Sequence, residues 1–467
     1  MDRRRQRSRA VAAGAAISAV ALCAAWAPAF GQEGGGGPLF TFGVSTTLTS
    51  SDNADLDVVS AGDTTQLETT LSFGFETVTR TQALRFSFSD TLRSGSGPDA
   101  ENDLRGPNVA LSYEREVADA RFDLSARQST RDVDSALSQE ELENLDTADA
   151  LAVDSGTLTN RVLSFGMETG RQGPVGTELS LSQTRRDYSN TTDPDLEDSR
   201  TDSASAAVVL RPDDATEVRL SYGITEFTRE DAVGTERTTR TFGINARRQL
   251  DPTTLITAGL GWTEITEDQT AIPLSLPDET GLTALFGYER DLQSGTVSAR
   301  LSRGITSAGH RTDLTATRVF ELPDGSVEIT LGVAKPEARN AQPTGRVAYV
   351  RERADQSFGF ALSSNIAVNS DRQVQRNTTA DVSYNMQLTE RDSFGLDLDF
   401  AKTSDVDGSG VTERTRSSAT ASYQRTLTPD WTLAAGLTHR RSRREGEGTA
   451  RSNAAFVTLG REFSWRP

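Results

Sequence analysis

Apolar and polar residues alternate along most of this chain, from about Leu39 to Trp465. Alternating runs are joined in turn by short connections and by longer acidic or Gly-rich segments. One such unit runs from Val382 to Gly410, and another runs from Ala421 to Gly448. A period of two places every second side chain on the same face of a β-strand. The pattern therefore predicts successive hairpins whose strands have one apolar face and one polar face.

The first 31 residues have the features of an export signal. Five arginines between positions 3 and 9 precede the apolar stretch Val11–Trp26, and Ala29-Phe30-Gly31 provides small residues for cleavage before Gln32. The stretch is shorter than a membrane-spanning helix, although a membrane anchor is the alternative reading. We predict a signal peptide at 1–31, a Gly-rich leader at 32–38 and a β-domain at 39–467. Repeated amphipathic hairpins behind an export signal are typical of a transmembrane β-barrel.

Short and long connections alternate, and this alternation predicts which end of the barrel faces the periplasm. The short turns include Thr79–Gln82, Ala118–Ala120, Arg211–Asp214, Leu250–Thr253, Leu322–Gly325 and Thr428–Asp430; the longer segments include Ser94–Pro107, Asp132–Thr157, Asn190–Ser203, Asp268–Glu279 and Ser404–Thr412. Outer-membrane barrels have short periplasmic turns and longer external loops. This assignment predicts an all-β, single antiparallel barrel of about 22 strands, with a range of roughly 18 to 24, and both chain ends in the periplasm. The segments Arg200–Arg211 and Lys335–Glu352 have the weakest pattern.

Five of the seven tyrosines precede a short turn by three to five residues: Tyr113, Tyr288, Tyr349, Tyr384 and Tyr423. A ring of tyrosines at one end of the strands is what an interfacial aromatic girdle requires. The simpler explanation is that tyrosine is a favourable strand residue. Its repeated position favours the girdle.

Composition narrows the function classes. Hydrophobic residues make up 35% of the chain, which suits a wide barrel with a wet lumen. The net charge is −18, and removing five Arg and one Asp with residues 1–31 leaves −22, which argues against nucleic acid as a partner. The single cysteine, Cys23, lies in the signal, so the mature chain has no disulfide and no thiolate ligand. Disorder is the competing explanation of this composition, and the regular alternation argues against it.

The longest predicted external loop, the third, is rich in carboxylates. Its candidate pore-constriction residues are Asp132, Asp134, Glu140, Glu141, Glu143 and Asp146. Ser138 and Glu141 fit a capping box ahead of Leu142 and Leu145, which predicts a short amphipathic helix. A loop folded into the barrel would make a constriction that favours cations. The alternative is a solvated acidic loop at the surface.

Arginines occur in adjacent pairs near several strand ends. Neighbours on a strand face opposite sides, so one of each pair should face the lumen and the other should face lipid or headgroups. Arg440, Arg441, Arg443 and Arg444 end a strand that runs towards the external side, and we predict contacts from them to lipopolysaccharide phosphates. A charged strand end without a ligand is the alternative.

The sequence offers no ligand set for catalysis or for a cofactor. Asp405–Gly410 and Asp52–Asp55 resemble fragments of calcium loops, but both lack the distal Glu, and simple turns explain them as well. Only two histidines are present, His310 and His439, and no nucleophile-elbow motif lies between a strand and a helix. We therefore predict no enzymatic activity, no metal site and no cofactor.

The whole mature chain resembles a bacterial outer-membrane β-barrel protein. The segment Ala455–Trp465 alternates Val457, Leu459 and Phe463 and ends close to an aromatic residue, followed here by Arg466 and Pro467. It is similar to the C-terminal signal of that family, which implies the barrel-assembly machinery as a partner. The Tyr-x-Arg hairpins also resemble those of large barrels encoded with exopolysaccharide or protein-sorting systems. No plug or passenger segment precedes the strands, which argues against a TonB-dependent transporter and against an autotransporter.

These observations predict a porin-like channel in the outer membrane of the Gram-negative cell envelope. Transport would be passive diffusion of hydrophilic solutes, with a preference for cations. The alternative is a non-channel accessory or scaffold barrel in exopolysaccharide export or cell-envelope assembly. The expected partners are outer-membrane lipid and lipopolysaccharide, and the sequence leaves open the solute, the oligomeric state and whether the lumen is plugged.

Overall fold

The computed structural model describes residues 37–135, 151–271 and 274–467, and all regular structure within these ranges is β-strand. The predicted signal peptide and most of the predicted leader lie outside them. The strands are β1 (Leu39–Ser51), β2 (Thr64–Val78), β3 (Gln82–Ser96), β4 (Asn108–Val117), β5 (Ala120–Asp132), β6 (Thr157–Thr169), β7 (Val175–Ser189), β8 (Ser199–Asp213), β9 (Thr216–Arg229), β10 (Thr235–Asp251), β11 (Thr254–Gln269), β12 (Leu274–Ser275), β13 (Glu279–Leu292), β14 (Gly295–Thr306), β15 (Gly309–Leu322), β16 (Gly325–Pro336), β17 (Gln342–Glu352), β18 (Gln356–Val368), β19 (Val374–Gln387), β20 (Asp392–Asp405), β21 (Arg414–Thr428), β22 (Trp431–Arg444) and β23 (Gly448–Trp465).

The strands form one closed antiparallel barrel. Each long strand pairs with the next along the chain, and β1 pairs with β23 from Phe40↔Trp465 to Ser51↔Ala454. The two-residue β12 only extends the external end of β11 and is not a wall strand, because β11 pairs directly with β13. The wall therefore has 22 strands, which confirms the predicted fold. Strands spaced by ~4.8 Å and tilted by ~40° enclose a barrel about 40 Å across.

The alternation seen in the sequence becomes an outer and an inner face. Large apolar side chains stand on the outer face and are exposed there, as at Leu282 (69%), Leu331 (67%) and Leu437 (65%). The inner face has small hydroxylated residues, some of which pair across strands, such as Ser363 with Thr379 at 2.7 Å. This separation explains how a chain with few hydrophobic residues forms a stable wall: only one face needs an apolar environment.

The predicted short turns join consecutive strands at one end of the barrel. β2 and β3, for example, are joined by residues 79–81, and β10 and β11 by residues 252–253. β1 begins and β23 ends at this same end, because Phe40 pairs with Trp465. The five tyrosines lie in the strand halves next to the short turns and pair with outward residues, as Tyr113 does with Leu84 and Tyr384 with Leu396.

One loop boundary was predicted too late in the sequence. β8 begins at Ser199, within the segment assigned to a loop, because above the membrane both faces of a strand are polar and the alternation disappears. The two weakly patterned segments contain the wall strands β8 and β17, in which small residues such as Ala206 and Gly345 stand at outward positions in place of large apolar ones.

Two clusters of buried apolar residues lie towards the external end of the barrel. One cluster contains Val133, Ala152, Leu158 and Leu196, with Tyr188 packed against it. Another contains Ala334, Ile366, Val374 and Val406. Both clusters combine strand ends with external loops, so packing there holds the loops against the barrel.

Candidate functional site

The external loops fold inward over the lumen. The described parts of the β5–β6 connection reach the inner wall formed by β21 and β22, far away around the barrel. Arg416 of β21 is almost fully buried, and its guanidinium donates to the carbonyls of Val133 (3.3 Å) and Ala152 (3.4 Å) and also to those of Asp134 and Ser135. Charge-assisted hydrogen bonds of this kind are stronger than neutral ones. Arg416 therefore fixes both described ends of this loop to β21, which is seven positions from β5 in the 22-strand wall.

Arg440, on the neighbouring strand β22, adds an ion pair to this contact. Its guanidinium lies 2.7 Å from the Asp134 carboxylate and also donates to the Ala54 carbonyl at 2.7 Å. Both side chains of the ion pair are mostly buried, at 16% exposure. The pair therefore joins the first and third external loops to the inner wall.

The β7–β8 loop is held in the same way. Asp195 accepts from Arg414 and from Arg444, each at 2.7 Å, and Asp193 pairs with Arg444 at 3.2 Å. On its other side this loop is bound to the third loop, because the Asp154 carboxylate accepts from the Asp193 amide at 2.7 Å and from the Thr192 hydroxyl at 2.8 Å. The two loops thus dock as one unit.

The β18–β19 loop covers another part of the opening. Its Asp371 pairs with Arg229 of β9, and its Ser370 carbonyl accepts from Arg237 of β10 at 2.7 Å. Its Arg372 donates to the Ser307 carbonyl at 2.6 Å and to Glu279 at 3.2 Å. Since β18 and β9 are distant in the sheet, this loop crosses above the lumen.

The second external loop carries a strongly perturbed carboxyl. Arg93, whose side chain is 1% exposed, contacts Glu101, Asp103 (2.8 Å) and Asp132 (2.9 Å). Burial, and then the charge of Asp132, raise the pKa of Glu101 to about 7, although Arg93 opposes the shift. Glu101 therefore changes its charge near neutral pH while it is in contact with a buried arginine.

We define the entrance network as the wall arginines and the loop carboxylates that join them: Arg229, Arg414, Arg416, Arg440 and Arg444 with Asp134, Asp193, Asp195, Glu197 and Asp371. Within the described residues these carboxylates are largely offset by arginine. The network therefore holds the loops against the wall, and its own carboxylates do not form a ring of unpaired negative charge.

The structure places the predicted site residues in different environments. Asp132 lies at the end of β5 against Arg93 and Arg105 (3.2 Å), and Asp134 lies against Arg440. Glu140, Glu141, Glu143 and Asp146, like the predicted loop helix, lie outside the described residues.

The four arginines of β22 divide by face. Arg440 and Arg444 point inward to the loops, whereas Arg441 and Arg443 are exposed on the outer face. The arrangement expected for adjacent arginines is thus found here. Arg440 and Arg444 are placed against protein carboxylates, while Arg441 and Arg443 remain exposed.

Sequence reasoning missed Arg414 and Arg416, the two buried arginines of the network. Their spacing carried a usable signal: residues two apart on a strand share a face, so Arg414 and Arg416 place two guanidinium groups on one face of β21. The partners, however, are more than 200 positions away in sequence.

Other candidate chemistry resolves into local structure. The Asp405 carboxylate accepts from the amides of Gly408 (2.6 Å), Gly410 (2.7 Å) and Val411 (3.1 Å), the geometry of a self-contained turn. Among the described residues no group of three or more His, Cys, Asp or Glu could hold a metal ion. Nor does the described part of the chain contain a helix that is long and apolar enough to span a membrane.

No protein-family model and no curated protein sequence matches this chain. Solved structures do match it. The FrpB iron transporter from Neisseria meningitidis (F3-3 variant) superposes with a TM-score of 0.56 and 9% identity over 91% of this chain and 81% of that one. The ferric-catecholate import receptor Fiu from E. coli K12 gives 0.56 and 12% over 90% and 81%.

A third match is the siderophore receptor PirA from Pseudomonas aeruginosa, with a TM-score of 0.50 and 12% identity over 91% of this chain and 80% of that one. At these identities the similarity establishes the fold alone. This chain is accordingly a closed 22-strand antiparallel β-barrel with the fold of a bacterial outer-membrane barrel.

Proposed function

We propose that this barrel resides in the bacterial outer membrane and transports hydrophilic solutes by passive diffusion, through a lumen whose entrance is restricted by the inward-folded loops. The observation that carries the proposal is the combination of an apolar outer face with a hydroxyl-lined inner face, closed by the entrance network. The solved relatives are named as receptors and transporters, which supports transport in general. The proposal of passive diffusion is supported only by the hydroxyl-lined inner face of the barrel.

The loops determine which solutes pass. A wall of 22 strands without them would leave a wide aqueous channel. Because Arg416 and Arg440 hold the third loop across the lumen, the aqueous path is confined to the space between loops, and small solutes are favoured over large ones. Opening the entrance requires charge-assisted contacts to break, so permeability should depend on the stability of the network.

The test is solute uptake by liposomes that contain the refolded barrel. We expect small sugars to enter faster than oligosaccharides, and uptake of the larger solutes to rise when Arg416→Gln and Arg440→Gln release the third loop. Arg425→Gln is the matched control, because Arg425 lies on the same strand as Arg416 but near the short turns, 52% exposed and paired with Asp392. Uptake equal to that of protein-free liposomes for every solute and variant would refute the transport proposal.

We propose further that the third loop gives the channel a preference for cations. Asp132 and Asp134 are paired with arginine, so this preference would come mainly from Glu140, Glu141 and Glu143. Changing these three residues to Gln should reduce the cation preference in a reversal-potential measurement. Glu264→Gln, on the outer face against Arg240, is the control. Unchanged selectivity in the triple variant would contradict this role.

A second candidate is the non-channel barrel of exopolysaccharide export or envelope assembly. The observation that favours it is the extent of the loop cover, since a scaffold needs no aqueous path. The two functions differ in the released variants. A channel becomes more permeable when its loops are freed, whereas an accessory barrel with a blocked lumen stays impermeable.

A further inference from the structure

The outer face of β22 and β23 has an uncompensated group of arginines near its external end. Arg441 and Arg451 are direct cross-strand partners, and Arg443 stands two residues further along β22 on the same face. All three are exposed, while their neighbours Ser452 and Arg440 point inward. Like charges directly opposite one another in a sheet are destabilising. We call Arg441, Arg443 and Arg451 the outer arginine patch.

Nothing in the described part of the chain neutralises this patch. Its arginines form no ion pair with any described carboxylate, in contrast to Arg440 and Arg444 on the inner face of the same strand. Just beyond the neighbouring strand β1, Asp52 accepts from the amide and the side chain of Asn453, each at 2.7 Å, and Glu445, two residues beyond Arg443, forms no ion pair with the patch. The patch therefore presents three unpaired guanidinium groups outward.

The height of the patch matches the surface of a membrane. Trp431 pairs with Arg461 near the short turns, and Arg441 pairs with Arg451 ten residues further along both strands. A rise of ~3.3 Å per residue and a tilt of ~40° place the patch about 25 Å above Trp431. The apolar band of outer-membrane barrels is itself about 25 Å tall. Leu437 and Val457, both exposed, lie between the two levels.

We propose that the outer arginine patch binds the phosphate groups of an outer-leaflet glycolipid, while the apolar strip below it contacts the lipid's acyl chains. A planar guanidinium bonds phosphate oxygens in a bidentate manner, and three of them offset the charge of a diphosphorylated headgroup. Binding also removes the repulsion between Arg441 and Arg451. This inference rests on the proposed placement in the outer membrane.

The test compares bisphosphorylated lipid A with its dephosphorylated form on the purified full-length barrel in neutral detergent, with native mass spectrometry to count bound lipid and determine its affinity. The variant is Arg441→Gln/Arg443→Gln/Arg451→Gln. The control is Arg240→Gln, which removes an outer-face arginine that already pairs with Glu264 at 3.2 Å. Mobility on gels before and after heating verifies that every variant is folded.

We expect the triple variant to bind bisphosphorylated lipid A at least about tenfold more weakly than the native chain, and the Arg240 control to bind normally. Equal affinity in the triple variant, or equal affinity of the native chain for dephosphorylated lipid, would overturn the proposal. So would displacement of the lipid by inorganic phosphate at the lipid's own concentration, which would indicate a site for free anions. Solute uptake into glycolipid-free liposomes reports on transport separately, so the two proposals fail independently.

Discussion

Removal of the Arg416 guanidinium should release the third external loop without unfolding the barrel. Arg416 bonds four loop carbonyls, while the wall around it is held by the ladders of β20, β21 and β22. The loop carbonyls form hydrogen bonds with water when the loop opens. Arg416→Gln should therefore reduce the free energy of loop docking by about 2 to 3 kcal/mol, which is less than the sum of four hydrogen bonds. At 1.4 kcal/mol per factor of ten, the open state becomes about 30- to 150-fold more populated.

Hydrogen exchange followed by mass spectrometry measures this change. The reporting amides are those of Val133, which donates to Gly156 at 3.0 Å, and of Asp193, which donates to Asp154, because both hydrogen bonds lie within the docked unit and become accessible to water when it opens. Their exchange should accelerate by the same factor, while amides in β21 remain protected. Arg425→Gln should leave both loops unchanged. Native exchange rates at Val133 and Asp193 in a folded Arg416→Gln barrel would show that Arg416 does not hold the loop.

Three further predictions follow from the same contacts. Because the pKa of Glu101 is raised to about 7, docking of residues 97–107 is favoured while the proton is bound and weakens as pH rises through about 7. Hydrogen exchange of this loop, corrected for the intrinsic rates, should be several-fold faster at pH 8 than at pH 6. Glu101→Gln should remove this difference. Asp371→Asn breaks a partly exposed pair with Arg229 and should weaken docking of the β18–β19 loop by only about 0.5 to 1 kcal/mol, a two- to fivefold rise in exchange there; a rise of a hundredfold would contradict this weighting. Trp465→Ala removes a ring that is stacked on Phe40 at 5.4 Å between β1 and β23, where the barrel closes. Urea unfolding should show a decrease of about 0.5 to 1.5 kcal/mol in the free energy of unfolding. An unchanged free energy would show that the closure does not depend on this stack.

The wall of the barrel was predictable because neighbouring residues in the sequence determine which side chains face outward and where the chain turns. Alternation from Leu39 onward reports which residues stand on the apolar face, and turns such as Leu250–Thr253 contain an Asp and a Pro that suit a reversal. Counting these turns led to 22 strands and to chain ends on the same side. Prediction failed at the strand ends beyond the membrane, such as Ser199, because water on both sides removes the need for alternation.

The entrance could be predicted only in part. The acidic composition of the third loop suggested a role in the lumen, but its partners Arg416 and Arg440 are nearly 300 positions away. Closure of the barrel, not local sequence, brings them together. The alternation of side chains along a strand correctly placed Arg440 and Arg441 on opposite faces. The local sequence did not indicate whether an inward arginine contacts a loop carboxylate or only water.

The most direct test of the account is planar-bilayer conductance of the refolded native chain beside the Arg416→Gln/Arg440→Gln variant. Loop-restricted transport predicts small conductance steps for the native barrel and steps several-fold larger for the variant, because the third loop no longer crosses the lumen. Full-width conductance in the native chain would mean that the loops do not restrict the entrance. Absence of steps in both proteins would contradict transport through this barrel.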